Sequence, residues 1–167
     1  MHLDFESKIV SMSALQIIRS EWEKDELRVV FTNGVFDLIH PGHVHYLNAA
    51  GNLGDRLIIG LNNDVSARLL EKGSGRPINT EMARATVLAA LQMVDAVILF
   101  EESTPLNLIK SLNPNVLVKG GDYEIADIVG APEVTAAGGI VKTIPFVEGF
   151  STTSIEQRIL KAGLDKE

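Results

Sequence analysis

Five short apolar runs punctuate this chain, at residues 28–31, 57–61, 97–100, 116–118 and 140–145. Each is rich in Val, Ile, Leu or Phe and is bounded by Gly, Pro, Asn or Asp, the pattern of buried strands. Between them, apolar residues recur at helical spacing. Ser11 or Ser13 can cap a helix running to about residue 24, with Leu15, Ile18 and Trp22 along one side. Further helices are expected over 44–53, from a cap within Asn62-Asn63-Asp64 to about 70, and from Asn79 or Thr80 to about 92. Three more follow: 104–112, capped at Thr104 with Pro105 behind it, a stretch beginning at Ala131, and 151–162. Strands alternating with helices predict right-handed βαβ units. The expected fold is a Rossmann-like, doubly wound parallel five-stranded α/β sheet with helices on both faces.

In such sheets ligands bind outside the carboxyl ends of the strands. Three polar turns follow strands one, four and five. The first is Thr32-Asn33-Gly34-Val35-Phe36-Asp37-Leu38-Ile39-His40-Pro41-Gly42-His43, the second Lys119-Gly120-Gly121-Asp122-Tyr123, the third Gly149-Phe150-Ser151-Thr152-Thr153. All three should gather on one edge. Three of the chain's four histidines fall between His40 and His45. A strand–turn–helix junction favours phosphate, because first-turn amides lack intrahelical partners and the helix dipole adds partial positive charge. Gly34 and Gly42 allow close backbone approach, and two imidazoles three residues apart can donate to phosphate oxygens. A metal cluster of His40, His43 and His45 is the weaker reading, since Asp37 is the one acidic residue close by.

The chain has 167 residues, enough for one domain with a sizeable core, and residues 1–26 are expected to form an accessory N-terminal helix. A net charge of −7 disfavours a nucleic-acid-coating surface, so basic groups must be focused locally. The absence of cysteine excludes thiolate chemistry. No apolar run reaches the ~18 residues of a membrane span, and the N-terminus lacks a signal-peptide pattern; a cytoplasmic protein is expected. Residues 71–77 read Glu-Lys-Gly-Ser-Gly-Arg-Pro, a polar loop whose Lys72 and Arg76 could close over a triphosphate. Arg84, in the first turns of the next helix, suits an ion pair or a phosphate equally.

The Gly34-x-Phe36-Asp37-x-x-His40-x-Gly42-His43 pattern resembles the signature of the HxGH nucleotidylyltransferase superfamily, which includes the cytidylyltransferases. The resemblance implies that His40 and His43 stabilise the transition state at the α-phosphate of a nucleoside triphosphate. It also implies that Ser151, Thr152 and Thr153 contact the β- and γ-phosphates, with Arg158 a loose candidate for a following arginine. Cytidylyltransferases acting on small alcohol phosphates carry an arginine where this chain has Phe146, which argues against those substrates. With Leu117-Val118-Lys119-Gly120-Gly121-Asp122-Tyr123 and Gly75-Arg76-Pro77-Ile78-Asn79, the chain is similar from about Val29 to Leu160 to the adenylyltransferase domains of ADP-heptose synthases. That similarity implies ATP and D-glycero-β-D-manno-heptose 1-phosphate as substrates, with Mg²⁺ held mainly by the triphosphate and no protein metal ligand set. A homodimer and a separate sugar kinase acting upstream are expected on the same ground. The catalytic set so implied is His40, His43 and Lys72. The nucleotide-binding set is Thr32, Asn33, Gly34, Phe36, Asp37, Gly42, Arg76, Lys119, Gly120, Asp122, Ser151, Thr152 and Thr153.

The alternative within the same chemistry is a CTP-dependent enzyme for an alcohol phosphate such as glycerol 3-phosphate. A non-catalytic nucleotide sensor on the same fold, or an interaction domain built on the N-terminal helix, would release no pyrophosphate.

Overall fold

The computed structural model describes residues 4–70 and 75–164. Five strands, β1 (Val29–Gly34), β2 (Arg56–Asn62), β3 (Ala96–Phe100), β4 (Val116–Gly120) and β5 (Ile140–Ile144), form one sheet in the order β3-β2-β1-β4-β5. Every pairing is parallel. The helices are α1 (Met12–Lys24), α2 (Pro41–Gly51), α3 (Asp64–Leu69), α4 (Glu81–Ala89), α5 (Leu106–Leu112), α6 (Ala131–Ala136) and α7 (Thr152–Leu164).

Strand periodicity divides the core into two layers. Val29 and Phe31 of β1 join Ile58, Ala96, Ile98 and Leu117 on one side, covered by Leu15 of α1, Leu108 and Leu112 of α5, and Val134 of α6. Val30, Ile59, Val97, Val116 and Val118 point to the other side, against Leu47 and Ala50 of α2 and Ala85 and Leu88 of α4. Both faces are therefore apolar, as a covered parallel sheet requires. Trp22 packs against the first layer, with the Arg56 guanidinium 5.8 Å from its ring centroid.

Local chemistry sets the helix starts. The side chains of Ser11, Asn63 and Thr80 accept the backbone N–H of Ala14, Ser66 and Ala83 and cap α1, α3 and α4. Thr104 does not cap α5, contrary to expectation. Pro105 is itself the N-cap residue, and the helix begins at Leu106 without a side-chain cap. The α4 helix also stops at Ala89, three residues short of the expected end.

The strand order reverses direction at β1, which has β2 on one flank and β4 on the other. The crevice at the carboxyl ends of β1 and β4 is the place where a doubly wound sheet accepts a ligand. The histidine turn leaves β1 there, and Lys119-Gly120 ends β4.

Candidate active site

A cavity of about 470 Å³ opens at this crevice. His40 is the N-cap residue of α2, but its side chain makes no capping bond, and Pro41 occupies the first helical position. The imidazoles of His40 and His43 stack, with centroids 3.9 Å apart and planes 26° from parallel. Phe36 meets the His43 ring edge-on at 5.4 Å. Phe36 itself sits at φ 48°, a left-handed conformation seldom adopted by a bulky residue. Gly42 leaves room for this arrangement: a Cβ there would come 3.0 Å from both Cε1 and Nδ1 of His40. Burial lowers the His40 pKa from its ordinary 6.5, so the ring is mostly neutral at pH 7 and offers an N–H without a full charge. Its Nδ1 is buried and has no hydrogen-bond partner among the described residues.

The second turn contributes Lys119, whose Nζ lies 3.5 Å from Asn33 Oδ1, and Gly120. The third contributes Ser151, Thr152 and Thr153 at the N-terminus of α7. Ser151 Oγ accepts the Ser154 N–H at 3.0 Å, so this hydroxyl caps the helix while lining the cavity. Two helix N-termini, those of α2 and α7, thus border one cavity. Such termini suit a polyanion.

Asp37 is buried and works on the backbone. Its two carboxylate oxygens accept the N–H groups of Ile78 and Asn79, each at 2.8 Å. That pair of bonds anchors the segment carrying Arg76, which also lines the cavity. Arg76 donates from Nε to Glu156 Oε1 of α7 at 2.7 Å and from Nη2 to Glu156 Oε2. The hydrogen bond to Glu156 raises its pKa further.

Asn33, Gly34, Phe36, Asp37, His40, Gly42, His43, Arg76, Lys119, Gly120 and Ser151 through Thr153 therefore line one cavity, and the three polar turns meet on one edge of the sheet as expected. Two expected residues do not. Thr32 is fully buried, because strand alternation puts it on the side of Val30, where its hydroxyl meets the Tyr46 hydroxyl at 2.6 Å. Burial raises the Tyr46 phenol to about 12, keeping it protonated. Thr32 thus braces α2 through its side chain and does not line the cavity. Asp122 is exposed in the turn after β4, outside the cavity lining. Arg158 is exposed as well, donating to Ser154 O, and His45 is exposed away from the lining. Lys72 lies outside the described residues.

Arg84 serves structure. It is 1% exposed, pairs with Asp64 at 2.8 Å and donates to the carbonyls of Val35, Asn62 and Asn79. Sequence reasoning did not single out Tyr46, which lines the cavity one turn after His43; that helical spacing was the available signal. Phe146, Tyr123 and Phe150 also line it.

A parallel sheet with a phosphate-friendly, histidine-bearing turn after its first strand defines an α/β nucleotide-site architecture. The cytidylyltransferase-like family model matches residues 31–158, and the chain belongs to that family. It is 50% identical over 153 residues to the "Bifunctional protein HldE" of Koribacter versatilis, covering 92% of this chain and 31% of that protein. The protein of the same name from Nitrobacter winogradskyi is 58% identical over 137 residues, 82% of this chain and 28% of the relative. The chain spans about a third of the length of the curated relatives it matches. Among solved structures, a lipopolysaccharide core biosynthesis protein from Thermoplasma volcanium superposes with a TM-score of 0.60 at 29% identity, covering 72% of this chain and 97% of that one. A pantoate-beta-alanine ligase from Francisella tularensis, at 16% identity and a TM-score of 0.61 over 89% of this chain and 75% of its own, shares the fold.

Proposed function

We propose that this chain is an adenylyltransferase that joins ATP and D-glycero-β-D-manno-heptose 1-phosphate, giving ADP-heptose and pyrophosphate. The observation that carries the reading is the stacked His40–His43 pair at the start of α2, bordering the same cavity as the N-terminus of α7. The similarity to the HldE proteins over most of the chain, and to the lipopolysaccharide core biosynthesis protein, supports the sugar-nucleotide product.

An oxygen of the sugar phosphate attacks the α-phosphorus of ATP, and the bond to the β-phosphate bridging oxygen breaks as pyrophosphate leaves. The nucleophile is already an anion, so no base and no covalent enzyme intermediate are required. Catalysis rests on bringing two anions together and on meeting charge as it develops. His40 and His43 donate to the α-phosphate oxygens. The Thr152 and Thr153 hydroxyls and the first-turn amides of α7 hold the β- and γ-phosphates. Arg76 exchanges Glu156 for a phosphate oxygen, and Lys119 answers charge near the end of β4.

Magnesium enters with the triphosphate as part of the substrate. Asp37 is the single carboxylate among the described cavity-lining residues, and both of its oxygens already accept backbone N–H groups. Among the described cavity-lining residues no second carboxylate stands beside it to hold an ion. A kinase that phosphorylates the anomeric hydroxyl of the heptose supplies the acceptor. Phe146 at the mouth of the cavity brings no positive charge for a small alcohol phosphate, which favours ATP with a sugar phosphate over CTP with glycerol 3-phosphate.

The test is product identification. Magnesium, ATP and heptose 1-phosphate incubated with the protein should give ADP-heptose by mass spectrometry, in amounts equal to pyrophosphate. Pyrophosphate release that proceeds equally without acceptor would contradict transfer.

A further inference from the structure

Phe146 is 70% exposed, more than any other large apolar side chain among the described residues, and it lines the cavity. One part of its ring lies against bare backbone. A Cβ on Gly120 would come 2.9 Å from Phe146 Cε1, and a Cβ on Gly121 would come 2.9 Å from Phe146 Cε2. Tyr123 approaches the same spot, 3.2 Å from the Gly121 position through Cε2, and is itself 52% exposed. The absence of side chains at the glycine pair thus lets the far end of one aromatic ring sit against the carboxyl end of β4, with a second ring beside Gly121. An open aromatic surface inside a concave site leaves apolar area in water until a ligand covers it.

We propose that Phe146, flanked by Tyr123, is the stacking platform for the nucleobase and the main determinant of purine over pyrimidine. This deepens the adenylyl-transfer reading and rests on it. His40, His43 and the α7 N-terminus line the same cavity and are better suited to the phosphates. A ring with neither charge nor donor has nothing to offer a phosphate. The base is the one flat, weakly hydrated part of ATP, and a purine presents a larger face than a pyrimidine. Stacking of a base on an aromatic side chain changes affinity by about tenfold to a hundredfold on alanine substitution. Phe146 is a binding and specificity residue here, with no part in the bond changes.

The test compares wild type, Phe146→Ala and Phe146→Trp by calorimetric binding of three probes: the β,γ-imido analogue of ATP, CTP and inorganic tripolyphosphate, each with magnesium. Phe146→Ala should weaken the ATP analogue about tenfold to a hundredfold, weaken CTP less, and leave tripolyphosphate within about twofold. Phe146→Trp should restore the analogue. Because the side chain is mostly exposed, the melting temperature should not move. Equal weakening of tripolyphosphate and the ATP analogue would overturn the proposal, since a distorted site rather than a lost stack would explain it. Unchanged nucleotide binding with a raised KM for the sugar phosphate would also overturn it, assigning the ring to the acceptor. If wild type binds tripolyphosphate but gains nothing from the adenosine moiety, the platform fails while phosphate binding stands. If wild type binds none of the three, the adenylyl-transfer reading itself fails and takes the platform with it.

Discussion

Two imidazoles stacked at 3.9 Å would repel if both were charged, and burial of His40 pushes the pair away from that state. His40→Ala and His43→Ala should each lower kcat by roughly 10²–10³, the usual loss for one preorganised donor, with circular dichroism and Tm unchanged. Steady-state kinetics on the folded variants checks this; near-wild-type turnover in either removes that ring from the mechanism. The lowered His40 pKa has a sign for stability as well. Above pH 6.5 neither folded nor unfolded His40 holds a proton, so the shift contributes nothing. As pH falls through 6.5 the unfolded chain takes up the proton first, and stability declines. Tm measured from pH 7.5 to 5.5 should fall less steeply in His40→Gln than in wild type; parallel slopes would show that this ring is not responsible. At this scale the sequence was legible where chemistry is concentrated in one turn. The Thr32 side chain was harder to place, because period-two alternation decides which way a strand residue faces, and that face is covered by α2.

Among the elements, three caps were readable to within a residue or two, because Ser11, Asn63 and Thr80 act on amides three residues away. Arg84 was not, because its partners Val35, Asn62, Asp64 and Asn79 come from three different segments and meet only in the folded chain. Replacing a buried guanidinium that satisfies an acid and three carbonyls leaves those groups unpaired. Arg84→Met should destabilise the fold by about 3–5 kcal/mol, and Arg84→Lys should recover only part of it. Urea midpoints at constant m-value measure the loss, and a change under about 1 kcal/mol would contradict the brace. Asp37 anchors a neighbouring segment in the same way. Asp37→Ala should speed amide exchange at Ile78 and Asn79 by at least about tenfold while strand amides of β1 keep their protection. Unchanged exchange at both amides would show that other contacts hold the segment.

For the whole molecule, alternation of strands and helices was enough to expect a parallel sheet with both faces covered, since a strand run that is apolar on both sides has no other stable setting. The 3-2-1-4-5 strand order then brings three turns, distant in sequence, to one crevice. The aromatic lining was harder to read. Phe146 looks like any strand-end hydrophobe until Gly120 at the end of β4 and Gly121 just after it are seen against its ring. A net charge of −7 is compatible with a polyanionic substrate because helix termini, imidazole donors and a few cations, rather than bulk charge, set the potential in the crevice.

The most direct measurement of the central claim is pyrophosphate release across a matrix of ATP or CTP against heptose 1-phosphate or glycerol 3-phosphate. ATP with heptose 1-phosphate should exceed CTP with the same acceptor by at least tenfold in kcat/KM, about 1.4 kcal/mol of differential transition-state binding. Glycerol 3-phosphate should be a poor acceptor with either nucleotide. Equal or preferred use of CTP, or efficient turnover of glycerol 3-phosphate without turnover of heptose 1-phosphate, would contradict the account.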